Sequence, residues 1–217
     1  MRALLAVFAL LLAAASAADA EALVVGSVGS SHARTSTVER SAAPPSPGPR
    51  GKLRVVPGRS RAFGRGDVRR FVVEVEGGLW VDRVAFARRV TRILADRRSW
   101  RVAVRRVSSK PIDFRVALAS SRLTDRICAP LPTNGIFSCA EGNRAILNSM
   151  RWRRGAAAYR RDLYRYRIYM VNHEVGHVFG HGHSSCRGGG LRAPVMMQQT
   201  KGVAPCRANP WPLAWER

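Results

Sequence analysis

The chain has 217 residues and a formal net charge of +23 at neutral pH, which leaves room for one domain of ordinary size with appendages. Most of the positive charge comes from arginine, whereas lysine is scarce and alanine, glycine, valine and proline are abundant. A GC-rich genome produces this composition without any role in binding. No zinc knuckle, aromatic RNP-like strand or helix-turn-helix pattern accompanies the arginines. We therefore expect no specific nucleic-acid partner and only a weak attraction to anionic cell surfaces.

Residues 1–17 have the three parts of a secretory signal peptide. Arg2 precedes an apolar run, and Ala15-Ser16-Ala17 supplies a cleavage site, with a second choice at 18–20. We expect a secreted, extracellular protein, although an uncleaved N-terminal segment would instead anchor it to the cell envelope. Residues 18–62 are rich in Ser, Pro, Gly and Arg without sustained periodicity, which predicts a disordered linker or pro-segment.

The remaining residues, 63–217, predict one mixed α/β (α+β) domain. Alternation favours a strand at 71–78, and Asp82 can cap a helix that ends near Ser99 and buries Phe86, Val90, Ile93 and Leu94. Further apolar runs predict strands at 100–107, 112–120 and 144–148. A long helix then carries an apolar stripe of Tyr164, Ile168, Val171, Val175 and Val178. An irregular C-terminal part follows it.

Four cysteines in an exported chain predict two disulfides. Cys128 and Cys139 flank an Asn-Gly turn signal and are expected to staple a hairpin. Cys186 and Cys206 would then close the loop that follows a histidine-rich segment. In an alternative, Cys186 is a metal ligand, since it lies only a few residues after that segment.

Four of the five histidines lie in the segment HEVGHVFGHGHSSC, residues 173–186. His173 and His177 are four residues apart, so on a helix both rings project from one face and can reach one ion. Glu174 follows the first of them, where its carboxylate can reach a water bound to the metal. This is the H-E-x-x-H arrangement, with two nitrogen ligands and a general base.

Helix geometry decides the third ligand. His181 continues the four-residue spacing, but a continuing helix would place it about 12 Å along the axis from the first ligand, too far for a shared ion. Gly180 can adopt the left-handed conformation that ends a helix, and the reversal brings His183 to the ion. This is the long zinc signature of the metzincin proteases, and it predicts one Zn2+ ion bound by His173, His177 and His183. A histidine-rich tract that binds metals adventitiously would need neither Glu174 nor the apolar stripe.

A methionine is expected beneath the metal. Metzincins have a tight turn with a methionine after the third histidine, and this chain has Ala-Pro-Val-Met-Met at 193–197. Met196 is the residue predicted for that turn. The alternative is that Met196 is an ordinary core residue. The two interpretations differ little, because the methionine of the metzincin turn is a packing residue and not a metal ligand.

Six motifs together resemble an actinobacterial family of exported proteins of unknown function, whose members are taken to be metzincin-type metallopeptidases. The motifs are DFRVALAS (113–120), TDRIC (124–128), VNHEVGHVFGHGH (171–183), APVM (193–196), QQT (198–200) and NPWP (209–212). The resemblance covers residues 63–212. It implies a metzincin-like zincin fold, with a mixed sheet, an active-site helix and an irregular, disulfide-bonded C-terminal part.

The resemblance also implies roles for single residues. It implies zinc on the three histidines, Glu174 as the catalytic residue and Met196 in the Met-turn. Some metzincins have a tyrosine two residues beyond that methionine, which helps the metal to hold the oxyanion. This chain has Gln198 there. Oxyanion support therefore falls to Gln198, to Tyr166 or Tyr169, or to no residue.

These features predict a secreted, monomeric zinc metalloendopeptidase with a protein or peptide substrate. Zinc lowers the pKa of its bound water to about 7, and Glu174 takes its proton and passes it to the leaving amine. The substrate would lie extended along an edge strand, for which 112–120 is the candidate. One alternative is a hydrolase of cell-wall peptides or amides with the same site. Another is a non-catalytic binding module with structural zinc, whose fourth ligand would be Cys186 or His181.

Overall fold

The computed structural model describes residues 48–217 of the protein. The predicted signal peptide (1–17) and most of the predicted linker (18–62) lie outside the described residues. The ordered domain begins earlier than the expected boundary at residue 63, because Leu53–Val55 already forms a strand of the sheet. That three-residue run is too short to show a period in the sequence.

Within the described residues, six strands and four α-helices form a mixed α/β domain. The strands are β1 (Leu53–Val55), β2 (Arg69–Glu76), β3 (Val104–Arg106), β4 (Phe114–Ala119), β5 (Cys139–Glu141) and β6 (Arg144–Asn148). The helices are α1 (Arg83–Ala95), α2 (Ser121–Cys128), α3 (Ser149–Arg154) and α4 (Leu163–Val178). Short 3-10 segments lie at Ala157–Tyr159 and Ala214–Glu216. None of the described helices is long and apolar enough to cross a membrane.

The sheet is mixed, and its order is β1-β2-β4-β6-β5, with β3 also paired to β2. Strands β2, β4 and β6 are parallel to one another, whereas β5 pairs antiparallel with β6 at the edge. The expectation that 112–120 forms an edge strand is therefore wrong, because β4 lies between two parallel neighbours. Its nearly continuous buried run is typical of a central strand that is covered on both faces.

Helices α1 and α4 pack with the sheet around one large core. Asp82 caps α1 as predicted, since its carboxylate accepts the N–H of Ala85 at 2.9 Å. The four predicted core residues of α1 are buried, and so are Ile168, Val171 and Val175 of α4. Tyr164 departs from the predicted stripe, because it lies in the first turn of α4 and is 63% exposed. Each fully buried side chain of this kind contributes about 1.5–3 kcal/mol to stability, so the core fixes the position of α4.

Both predicted disulfides are present, Cys128–Cys139 and Cys186–Cys206. The first does not staple a hairpin. Cys128 ends α2 and Cys139 begins β5, so the bridge ties a helix to the edge strand. The Asn-Gly signal does form a turn, with positive φ at both residues, but no paired strands flank it. The second bridge excludes Cys186 as a thiolate ligand.

Candidate metal centre

Helix α4 presents the first two predicted ligands and then stops. His173 and His177 lie one turn apart on it, with ring centroids separated by 4.8 Å. The helix ends at Val178, and Gly180 follows with φ +90°, a conformation that residues other than glycine rarely adopt. The chain reverses there, and His183 returns to the face that carries the other two rings, as the sequence predicts.

The three histidines form one cluster. One ligand nitrogen from each of His173, His177 and His183 lies within 4.8 Å of the others. The Nε2 atoms of His177 and His183 are 3.1 Å apart. Two Zn–N bonds of about 2.0 Å at a tetrahedral angle would separate their nitrogens by about 3.3 Å, so this spacing fits one shared ion. Among residues 48–217, no further His, Cys, Asp or Glu joins the group.

His181 contributes its main chain rather than its ring. The imidazole stacks on Trp100, with centroids 4.3 Å apart and an interplanar angle of 19°. The carbonyl of His181, by contrast, accepts the Nδ1–H of His177 at 2.8 Å. The prediction that the His181 side chain is not a ligand agrees with this placement. The orienting carbonyl was not foreseeable from residue type, since every residue has one.

A second carbonyl orients the first ligand. Val195 O accepts the Nδ1–H of His173 at 2.8 Å. Because a carbonyl oxygen can only accept, both His173 and His177 carry their proton on Nδ1 and keep the Nε2 lone pair for an ion. Outer partners of this kind fix the tautomer and the ring orientation of metal-bound histidines. The donor set is thus prepared for a metal that favours neutral imidazole.

The electrostatics also favour neutral imidazoles. Burial lowers the pKa of His173 to about 3, against the hydrogen bond to Val195, which raises it. Burial also lowers the pKa of His177 and of His183 below the ordinary value. Metal ions bind the unprotonated ring, so these shifts keep the ligands available at neutral pH and below it.

Glu174 lies at the same site and is only 6% exposed. Its carboxylate makes no hydrogen bond or ion pair with any described residue, and burial raises the pKa of this group to about 8. A buried carboxyl without a partner costs stability when it ionises. A carboxylate at this place in the floor of an open cleft therefore indicates a chemical role.

We expect Glu174→Gln to alter the pH dependence of the stability of the metal-free protein. The pKa of Glu174 is raised on folding, so the folded state holds the proton more tightly, and wild-type stability falls as pH rises between the unfolded value, near 4.5, and about 8. Glutamine has no such titration. The free energy of unfolding is measured by urea denaturation of both chelator-treated proteins at pH 5 and at pH 9. At pH 9 the variant should be more stable than the wild type by a few kcal/mol, on the order expected for that pKa shift, and at pH 5 the two should be equally stable. An equal difference at both pH values would contradict the burial argument.

A tight turn supports the ligands from below. The N–H of Met197 bonds to Pro194 O at 3.1 Å, which places Met196 inside the turn, and Met196 is fully buried. Gly176 of α4 packs directly on it, because a Cβ at that position would overlap the Met196 sulfur and the Trp100 ring. Gly176 was missed by the sequence analysis. A glycine inside an otherwise regular helix was the available signal.

Glu216 holds this turn from the other side. Its carboxylate accepts the N–H groups of Val195 and Met196, both at 2.9 Å, and that of Leu213 at 2.7 Å. The Met196 N–H and the Val195 carbonyl belong to one peptide group, so a chain of hydrogen bonds runs from the Glu216 carboxylate through that peptide to His173. No local pattern in the sequence marks Glu216 for this role, because Val195 and Met196 lie about twenty residues away from it.

We expect Glu216→Gln to weaken zinc binding without removing a ligand. The amide NH2 group would face an N–H donor of the turn, which costs about 1–3 kcal/mol of folding stability. Loss of an outer partner typically lowers metal affinity about 10- to 100-fold. Denaturant unfolding and competition against a zinc-binding dye would measure the two effects. Glu141→Gln, at an exposed position, is the matched control, and an affinity equal to that control would exclude the positioning role.

The three predicted oxyanion residues are placed differently. The Tyr169 hydroxyl donates to Met197 O and accepts the Gln199 N–H, so the turn uses both of its functions, although its ring lines the cleft. The Tyr166 hydroxyl bonds with Thr200 Oγ1 at 3.0 Å, and Tyr166 does not line the cleft. Gln198 does line it. Of the three, only Gln198 presents a polar group to the cleft.

The cleft above the histidines has a volume of about 440 Å³. Its floor consists of the three histidines and Glu174, and one wall is the start of β5 with the loop that precedes it. The Cys128–Cys139 bridge holds that wall against α2. The cleft therefore runs beside an edge strand that pairs on one side only among the described residues.

Comparison with known proteins places the chain in a family without supplying an activity. A family model described as Protein of unknown function (DUF3152) matches residues 43–207, which include every described strand and the three clustered histidines. Neither a curated protein nor a solved structure gives a significant match. The match spans well over half of the sequence. The chain therefore belongs to the DUF3152 family of proteins of unknown function.

Proposed function

We propose that the protein is a zinc-dependent hydrolase of peptide bonds that acts outside the cell. The observation that carries the proposal is the juxtaposition of Glu174, a buried carboxylate without a partner, with three neutral imidazoles on the floor of an open cleft. Three nitrogen ligands with room for water are typical of catalytic zinc, whereas structural zinc is closed by four protein ligands. The two disulfides indicate an oxidising environment and are consistent with export.

A zinc ion held by the three histidines would lower the pKa of its water to about 7 and polarise a substrate carbonyl. Glu174 then acts as the general base, which accepts a proton from the attacking water and delivers it to the departing amine nitrogen. Burial raises the pKa of this carboxyl to about 8 in the metal-free protein. A cation held by the three histidines would favour the ionised form of Glu174, so this carboxylate would serve as a base at neutral pH.

The exposed edge of β5 is the candidate docking site for the substrate backbone. This strand pairs only with β6 among the described residues, and Cys139 and Ala140 line the cleft. An extended peptide can add to such an edge through main-chain hydrogen bonds, while its side chains enter neighbouring pockets. The substrate strand expected from sequence at 112–120 is thus replaced by the short edge strand at 139–141.

The structural-zinc alternative finds no fourth ligand among the residues that the structure describes. Cys186 is in a disulfide and the His181 ring lies on Trp100, so neither side chain offers an additional donor. Within residues 48–217, no other His, Cys, Asp or Glu lies close enough to close the site. This open coordination favours a hydrolase over a binding module.

The decisive experiment is peptide cleavage by disulfide-intact protein. Zinc-loaded protein is incubated with a diverse peptide library, and the products are sequenced by mass spectrometry. We expect cleavage at internal bonds that a chelator abolishes and added zinc restores. A parallel preparation of Glu174→Gln controls for contaminating proteases. Protein that holds one zinc per chain yet cleaves no peptide would contradict a peptidase.

A further inference from the structure

A single basic side chain stands in the wall of the cleft. Among the described residues that line it, Lys201 is the only lysine or arginine and Glu174 the only carboxylate. This is unusual for a chain in which arginine and lysine together number 37. The remaining lining residues are small, apolar or neutral polar groups, apart from the histidines of the cluster.

Lys201 is held in place but its charge is not compensated. Its Nζ donates to Gln198 Oε1 at 3.1 Å and lies 5.3 Å from the centroid of the Phe137 ring. No carboxylate of a described residue lies within ion-pair distance of it. An ammonium group has three N–H donors, and Gln198 takes one of them. Two donors and a full charge therefore remain for a ligand in the cleft.

The position of this charge suits a substrate group beside the bond to be cleaved. Lys201 follows Thr200, and both residues line the same cleft as the three histidines and Glu174. Lys201 is solvent-exposed, so a carboxylate that reaches it gains a charge-assisted hydrogen bond that salt partly screens. The overall charge of +23 adds a long-range field that attracts negatively charged chains.

We propose that Lys201 selects peptide substrates that carry a carboxylate close to the scissile bond. The inference rests on the proposed peptidase function. The carboxylate belongs either to an Asp or Glu side chain or to the C-terminus of the substrate, and both present the same chemistry to the ammonium group. Gln198 acts with Lys201 by fixing its position, which gives this glutamine a role in recognition.

The test uses four matched peptides, with Glu or Gln at one position near the cleaved bond and with a free or amidated C-terminus. We expect kcat/KM of the zinc-loaded wild type to be higher by about 10-fold for the peptide that bears the preferred carboxylate, as one charge-assisted hydrogen bond provides. Lys201→Met should erase that preference, so that the kcat/KM values of the matched peptides become equal, while Lys201→Arg should keep it. Lys110→Met, an exposed lysine outside the cleft, is the control.

Two results would overturn the proposal. One is an unchanged preference in Lys201→Met. The other is an equal loss of kcat/KM for all four peptides in that variant, which would indicate a role in the reaction rather than in selection. The peptide pair that responds identifies the source of the carboxylate.

Binding separates this inference from the peptidase function itself. Affinities of the same peptides for zinc-loaded Glu174→Gln protein, with and without Lys201→Met, are measured by titration calorimetry at low and at physiological salt. A preference for the carboxylate that disappears with Lys201 supports the inference even if no peptide is cleaved. Equal affinity for Glu and Gln peptides and for both C-termini would refute it even if cleavage is observed.

Discussion

Glu174→Gln should leave zinc bound and abolish hydrolysis. The substitution keeps the volume of the side chain and touches none of the three ligands, so zinc content should stay close to one per chain. Glutamine cannot accept a proton from the attacking water. Loss of a general base typically lowers the rate about 100- to 10,000-fold, and we expect a fall in kcat within that range. Metal analysis of the purified variant, together with kcat on a cleaved peptide, would measure both effects.

The size of the expected loss comes from the surroundings of Glu174. Its carboxyl makes no hydrogen bond or ion pair with the described residues, so removing its charge breaks no structural network. A merely structural glutamate would show the opposite pattern, as Glu216 does with three N–H donors. Full activity in Glu174→Gln would show that another group takes the proton, and the proposed mechanism would be wrong.

The histidine cluster could be predicted from the sequence because it depends on local geometry. Two histidines four residues apart must share a helix face, and a glycine that ends the helix fixes where the chain turns back. The relation between His173, His177 and His183 therefore follows from eleven consecutive residues. The turn at Met196 was equally accessible from the short motif around Pro194.

The sheet order and the outer support were not accessible in the same way. Whether the run 112–120 lies at the edge or at the centre of the sheet depends on which strands pair with it. Its own apolar pattern does not distinguish the two positions. Strand β5 is three residues long and has too few residues to show alternation. Glu216 accepts hydrogen bonds from a turn that is distant in sequence, and Lys201 lines a cleft that is formed by several distant segments. Such relations depend on tertiary packing and leave no local pattern.

His183→Ala and His181→Ala give the sharpest test of the metal centre, because they change the same residue type two positions apart. His183 provides one of the three nitrogens of the proposed metal site, and its side chain is exposed, so alanine should remove that nitrogen without disturbing the core. We expect zinc affinity to fall by more than about 100-fold, the upper end of what loss of an outer partner costs, and peptide cleavage to be lost with the metal.

His181→Ala should retain both zinc and activity. The main-chain carbonyl that orients His177 remains, and only the stacking of the imidazole on Trp100 is lost. Such aromatic contacts contribute about 0.5–1.5 kcal/mol, so a modest drop in thermal stability is the expected cost. Competition against a zinc-binding dye, read alongside thermal unfolding, separates the two effects. If His181→Ala released the metal while His183→Ala retained it, the chain reversal at Gly180 would not deliver the third ligand, and the ion would bind to a different set of residues.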